Sequence, residues 1–266
     1  MGFIFALGKL KSKFIPKNSV TPFPLKKISI LILLFSVLSV GAFAQTQDSY
    51  EYQSEFTWGI TKNTSSGLIG GFTFKKARKL KDEDNVLETY GLEIINVKHP
   101  QEVRVTSVQT GNFYVFGKSN YLYTFRFQYG RDVILFKKAP QQGVEIKGVF
   151  AVGPSLGLQA PYYVEYTGDN SSFNSQTAQY NSDINAQQIL GTGRLFEGLG
   201  DSKVKFGGNF KAALNFELGT IKSQVTGFEA GFLVDAYTSK IEQMPAAKKY
   251  SVYPTLFITL FYGSRK

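Results

Sequence analysis

The chemistry open to this sequence is narrow: one histidine, no cysteine, and acidic and basic residues that recur on alternate positions between aromatics. His99 stands in "NVKHPQEVR" (96–104). A Ser, His and acid triad needs its imidazole oriented and within hydrogen-bond reach of a nucleophile. A lone histidine before proline is ordinarily a loop residue, so a lipid-modifying enzyme built on His99 is the weakest functional reading, and no catalytic residue is assigned. The lack of cysteine removes thiol catalysis, disulfides and thiolate metal sites together, and is compatible with an oxidising compartment. "DEDN" (82–85) lacks the length and glycine of a calcium loop and reads as a solvated turn. "GTGRLFEGLG" (191–200) is neither a dinucleotide fingerprint nor a phosphate loop and reads as a flexible connection. Neither a metal nor a cofactor is expected.

The alternating charges say more. Glu51 and Glu55 lie opposite Tyr50, Tyr52, Phe56, Trp58 and Ile60. In "YLYTFRFQYGR" (121–131) Arg126 shares a parity with Thr124 and Gln128, against Tyr121, Tyr123, Phe125, Phe127 and Tyr129. Glu145 and Lys147, Lys211 and Glu217, and Glu229 and Asp235 alternate in the same way with aliphatic and aromatic residues. Successive strand side chains point to opposite faces, so each segment has one apolar and one charged face.

The elements that would position these charges are strands. Eight period-two segments recur, at about 50–60, 66–76, 86–97, 121–131, 144–158, 203–219, 227–237 and 250–262. Most reach ten residues or more, longer than the five or six usual in a soluble sheet and matching the 9–11 of a tilted transmembrane strand. The expected fold is therefore an all-β, antiparallel transmembrane β-barrel of about eight strands. "EVRVTSVQTGNFYVFG" (102–117) is either a protruding hairpin or two further barrel strands, which would make ten. An eight-stranded interior is only wide enough to be filled by side chains, so the inward charges would pair into a network that plugs the lumen.

"LKKISILILLFSVLSVGAFA" (25–44) has a basic start at Lys26 and Lys27, an apolar core and an Ala42-Phe43-Ala44 cleavage pattern before Gln45, which reads as a secretory signal peptide. Residues 1–24 are expected to be a mis-called extension ahead of it, leaving 45–266 as the barrel. This changes the charge argument. The formal net charge is +10, but residues 1–44 carry six lysines and no acid, so the mature chain is near +4 and no nucleic-acid partner is expected.

With the N-terminus inside, the long connections fall on the outer side, at 98–120 and above all at 159–202, as outer-membrane barrels require. Two inner connections, 77–85 and 132–143, are longer than ideal turns. In the 159–202 loop Tyr162, Tyr163, Tyr166, Phe173 and Tyr180 are interspersed with Ser, Asn and Gln. Rigid aromatics among small hydrogen-bonding residues are the composition of adaptable contact surfaces, which makes these five the candidate docking residues.

The Ala-Gln cleavage site, a first strand containing "TWGI", glycines on alternate positions and the aromatic final segment "TLFITLFYGSRK" resemble the small outer-membrane β-barrel proteins of Bacteroidota, the group that includes the PorT-like barrels. The end of the chain departs from the pattern, because Tyr262 is followed by Gly263, Ser264, Arg265 and Lys266 rather than closing it. The resemblance carries no catalytic motif. It implies a barrel in the cell outer membrane, and the strand count and plugged lumen favour a non-enzymatic structural or accessory part of a complex, in contact with outer-membrane lipid and with other outer-membrane or periplasmic proteins. Small-solute transport or ligand binding is the alternative.

Overall fold

The computed structural model describes residues 53–66, 70–80, 83–137, 143–168, 175–181, 183–194, 197–218 and 223–266. The expected signal peptide, the extension ahead of it, Glu51 and Phe173 lie outside the described residues.

Eight long strands follow one another: β1 (Ser54–Asn63), β2 (Gly71–Leu80), β3 (Glu83–Val97), β4 (Asn120–Phe136), β5 (Glu145–Pro161), β6 (Lys203–Glu217), β7 (Gln224–Ile241) and β8 (Tyr250–Arg265). Each pairs antiparallel with its neighbours in sequence, and β1 pairs with β8, so the sheet closes without an edge. The 102–117 segment is a separate hairpin, Arg104–Thr106 against Phe113–Val115, outside the barrel ladder. The barrel therefore has eight strands rather than ten.

The inner connections are shorter than the sequence suggested. β2 continues to Leu80 and β3 already begins at Glu83, so most of "DEDN" is strand rather than a solvated turn. β4 likewise runs on to Phe136. Charged residues hid the strand periodicity of the first stretch, and the unbroken apolar run Val133–Phe136 hid that of the second.

Register fixes the dimensions. A residue row leaving β1 at Phe56 passes through Lys76, Tyr90, Tyr129, Val152, Phe210 and Val234 and reaches β8 at Pro254, whereas Phe56 pairs directly with Ser264. That ten-residue stagger over eight strands sets a strand tilt of about 40°. The outward apolar run of β8, Val252 to Tyr262, then rises about 25 Å along the barrel axis.

The rim is uneven. Asn63, the last residue of β1, pairs with Phe257, so β8 runs seven residues beyond it to Tyr250. The outer end is capped by the loops. Tyr163–Thr167 pairs with Ser175–Gln179 on one side and Ile189–Thr192 on the other, forming a three-stranded sheet. This sheet and the 104–115 hairpin share a core of Tyr114, Tyr162, Val164, Tyr180 and Ile189. The hairpin turn uses Gly111 at φ 76°, a left-handed conformation that residues with a Cβ rarely adopt.

Candidate functional site: the barrel interior and its outer cap

The barrel is inverted relative to a soluble one. Its outward positions carry Phe56, Trp58, Phe72, Phe127, Phe150, Phe206, Phe210, Phe232, Leu256 and Leu260, with Leu260 65% exposed. Its inward positions carry the charges, and Arg126, Glu217 and Asp235 are fully buried. A contiguous apolar surface of this extent is foreign to a water-soluble monomer. Tyr262 and Trp58 meet edge-on at 6.2 Å, and Tyr90 and Tyr129 pair in a tilted arrangement at 5.3 Å, near the inner end of the apolar wall, where aromatic girdles stand. Among the described residues no helix is long and apolar enough to cross a membrane.

Inside, the strand parities bring opposite charges together in three groups. Nearest the inner end, Lys147 lies 3.2 Å from both Glu55 and Glu145 and 3.8 Å from Glu217. Arg265 joins the same three carboxylates, donating to Glu217 through both terminal nitrogens and lying 3.2 Å from Glu55 and 3.4 Å from Glu145. In the middle, Lys211 pairs with Glu229 at 2.6 Å, and Lys75 bridges Glu229 at 3.4 Å and Asp132 at 2.6 Å. Asn215 Nδ2 donates to Glu229 at 3.2 Å.

In the outer half, the Arg126 guanidinium forks onto Asp235 at 3.0 and 2.5 Å and reaches Glu93 at 2.9 Å. Ser155 donates to Asp235 at 3.1 Å, and Asn209 donates to Ser155 at 3.0 Å. Above this group the lumen turns apolar, with Ile95, Val97, Leu122, Tyr237, Ile241 and Tyr253 packed together. Tyr237 crosses the lumen to a 2.8 Å hydrogen bond with Thr124. It can do so because position 157 is glycine: a Cβ there would stand 2.9 Å from Tyr237 Cε1.

Of the sequence-derived lumen set, Glu55, Arg126, Glu145, Lys147, Lys211, Glu217, Glu229 and Asp235 thus all lie inside, each paired within one of these three groups. Lys75, Glu93, Asp132 and Arg265 were not in that set. Lys75 and Glu93 carry the same parity signal. Asp132 and Arg265 continue the parity of Arg126 and of the last strand, but past where the aromatic pattern stops.

The loop residues fare differently. Tyr162 is fully buried and Tyr180 nearly so, which removes them as docking contacts; they are the core of the cap. The Tyr162 hydroxyl accepts from the Val115 amide at 2.9 Å, and its ring meets Tyr121 edge-on at 5.1 Å. Composition alone does not distinguish an aromatic that faces a partner from one that holds a loop to its neighbour. Tyr163 and Tyr166 are half-buried. Of the aromatics in 121–131, Tyr121 packs under the cap, while Phe127 and Tyr129 stand on the open outer wall.

Among the described residues the most exposed apolar side chains of the cap are instead on and beside the hairpin: Val103, Val108 at its tip (88% exposed), Phe113 and Phe116. Below it, Lys118 lies 2.6 Å from Glu102 and 4.4 Å from the centre of the Tyr121 ring. Burial pushes the Lys118 ammonium below its ordinary pKa, and the Glu102 carboxylate offsets part of that.

His99 is buried, and both ring nitrogens are engaged. Nδ1 accepts from the Gln101 amide at 3.2 Å, which leaves Nε2 to donate to the Lys248 carbonyl at 3.0 Å. Its ring lies 5.3 Å from that of Tyr250. Gln243 Nε2 donates to the Val97 carbonyl at 2.6 Å. These contacts tie the end of β3 to the start of β8 across the low rim left by β1 and β2.

No family model matches the chain, and no curated protein matches it. Among solved structures, Ail, the attachment invasion locus protein of Yersinia pestis, is similar at 11% identity over 82% of this chain and all of its own, with a TM-score of 0.37. The same protein in complex with the heparin analogue sucrose octasulfate is similar at 12% identity, again with a TM-score of 0.37. Neisserial surface protein A is similar at 10% identity over 81% of this chain and 97% of its own, with a TM-score of 0.34. Likenesses this distant carry no function across.

Proposed function

We propose that the chain is an integral barrel of the cell outer membrane with a filled, non-conducting lumen, and that it acts without catalysis as a structural or accessory component whose outer cap docks another protein. The inversion of the barrel carries this reading: an apolar wall about 25 Å tall outside, and buried ion pairs inside. In water that wall would cost the fold its solubility; against acyl chains it is the matching surface. A filled lumen is supported by the full burial, among the described residues, of Arg126, Glu217 and Asp235, whose groups contact protein rather than a water column.

Docking is assigned to the cap because it is a folded platform rather than a set of loose loops. Two small sheets share an aromatic core and hold Val103, Val108, Phe113 and Phe116 outward. A preorganised apolar patch loses little entropy on binding. His99 is read as a brace rather than a catalyst, because neither ring nitrogen is left to take a proton from a nucleophile.

Conductance in planar bilayers tests the lumen. The barrel, shown to be folded by its faster gel migration before heating, should give no single-channel steps; stable steps would defeat the filled-lumen reading. Crosslinking in intact cells tests the cap. Val108→Asp with Phe113→Asp should remove the crosslinked neighbour while leaving the barrel in the membrane, and an unchanged crosslink pattern would rule out docking through this hairpin.

A further inference from the structure

At the outer end of β7 the ladder breaks. Ala236 pairs with Val252, but the next pair is Ile241 with Tyr250, so β7 carries three extra residues there. The bulge is tied down on its β6 side, where Thr238 Oγ1 donates to the Phe206 carbonyl at 3.1 Å and Lys205 donates to Ser239 at 3.2 Å. Towards β8 it stands open over a cavity of about 390 Å³ lined by Lys240, Lys248, Lys249, Tyr250, Ser251 and Val252. Bulges of this kind re-aim side chains: Ser239, whose parity would face the lumen, is exposed, and Lys240 follows it on the outer face at the edge of the cavity.

The three lysines are not equivalent. Lys249 is ion-paired with Glu242. Lys240 and Lys248 have no carboxylate partner among the described residues. Lys248 is held by its backbone, whose carbonyl accepts from His99, and its ammonium lies 5.7 Å from the centre of the Tyr250 ring. The cavity thus sets two unneutralised ammonium groups on a braced frame, with the Tyr250 ring as one wall. Its lower lip is Val252, the top of the apolar run that continues down β8 through Leu256 and Leu260.

We propose that this cavity binds the phosphate of a phosphorylated glycolipid in the outer leaflet, with Lys240 and Lys248 on the phosphate and the β8 wall against the acyl chains. The inference rests on the outer-membrane reading above. A dianionic phosphate matches two ammonium groups, and a ligand lying with its charge above Val252 and its chains beside Leu256 must carry both in one molecule. A free anion has no use for the apolar lip.

The test uses the full barrel, purified and folded in detergent, with native mass spectrometry as the readout. It is offered diphosphorylated lipid A, the same lipid with its phosphates removed, or lipid A in excess inorganic phosphate. Lysines beside an anionic surface contribute roughly five-fold each. Lys240→Gln with Lys248→Gln should therefore weaken lipid A retention by about 25-fold, while Lys98→Gln with Lys203→Gln leaves it within about two-fold. The dephosphorylated lipid should bind wild type no better than it binds the Lys240/Lys248 variant, and inorganic phosphate should not displace lipid A.

Equal retention by wild type and the Lys240/Lys248 variant would overturn the site. So would equal retention of the two lipids, or displacement by phosphate, which would make it a free-anion site. A wild-type protein that shows no heat-dependent gel shift would overturn the membrane reading itself, which separates the two failures.

Discussion

Replacing Arg126 by methionine should be among the most damaging single changes in the barrel. The guanidinium is fully buried and serves two carboxylates at once, Asp235 through a bidentate fork and Glu93 through a single bond. Neither carboxylate has solvent to turn to, since Asp235 is fully buried and Glu93 is 3% exposed. Surface screening therefore gives no discount. Breaking a buried pair by removing one partner costs about 3–5 kcal/mol, and with two carboxylates orphaned the loss should fall at the upper end, about 5 kcal/mol. Arg126→Lys keeps the charge but loses the fork and should cost about 2 kcal/mol. The triple change Glu93→Met, Arg126→Met, Asp235→Leu removes every charge of the group and should recover most of the loss. Urea unfolding in lipid vesicles, followed by the emission of Trp58, the single tryptophan, reads these differences directly. Arg126→Met within about 0.5 kcal/mol of wild type, or a triple variant no more stable than the single one, would refute a dry, charge-paired lumen.

The outer wall gives a depth-dependent prediction. Phe210, in the middle of β6, and Leu218, just past its inner end, are similarly exposed at 46% and 50%. Phe210→Arg should cost about 2–4 kcal/mol and Leu218→Arg about 1 kcal/mol or less in the same vesicle unfolding assay; equal costs would argue against a bilayer around β6. His99→Ala removes the hydrogen bond to Lys248 and the ring contact with Tyr250, so protease cutting within 242–249 should speed up several-fold while the barrel still inserts. Loss of a lipid-modifying activity in an otherwise intact His99→Ala barrel would instead favour the enzymatic reading. For Lys118 the direction with pH follows from burial. Its folded pKa lies below the unfolded one, so the folded cap binds fewer protons than the unfolded loop between those two values. Cap stability should therefore rise with pH up to about 10.4, visible as tighter near-ultraviolet circular dichroism of the cap tyrosines at pH 9.5 than at pH 8.

Strand number, order and facing were legible because a barrel wall repeats one rule eight times: apolar outward, polar inward. Phe56, Trp58 and Ile60 against Glu55, Thr57 and Thr61 state that rule without help from tertiary structure. Strand ends were harder to read. In Asp132–Phe136 the four apolar residues Val133, Ile134, Leu135 and Phe136 follow one another without alternation, so periodicity fades before the ladder does. Interior residues near those ends, Asp132 and Arg265 among them, were therefore missed. The cap was the least legible part. Whether Tyr162 faces a partner or the 104–115 hairpin depends on contacts between loops distant in sequence, and no local spacing encodes it. The same is true of Lys240 and Lys248, brought together by a bulge whose extra residues look like ordinary strand.

The most direct test of an apolar wall set in lipid is the environment of Trp58, which lies on the outer face of β1 beside Tyr262. In the folded barrel reconstituted with phospholipids brominated along their acyl chains, its fluorescence should be strongly quenched and blue-shifted, and aqueous iodide should have little effect. Efficient quenching by iodide with none from the brominated lipids would mean that the apolar face meets something other than a bilayer.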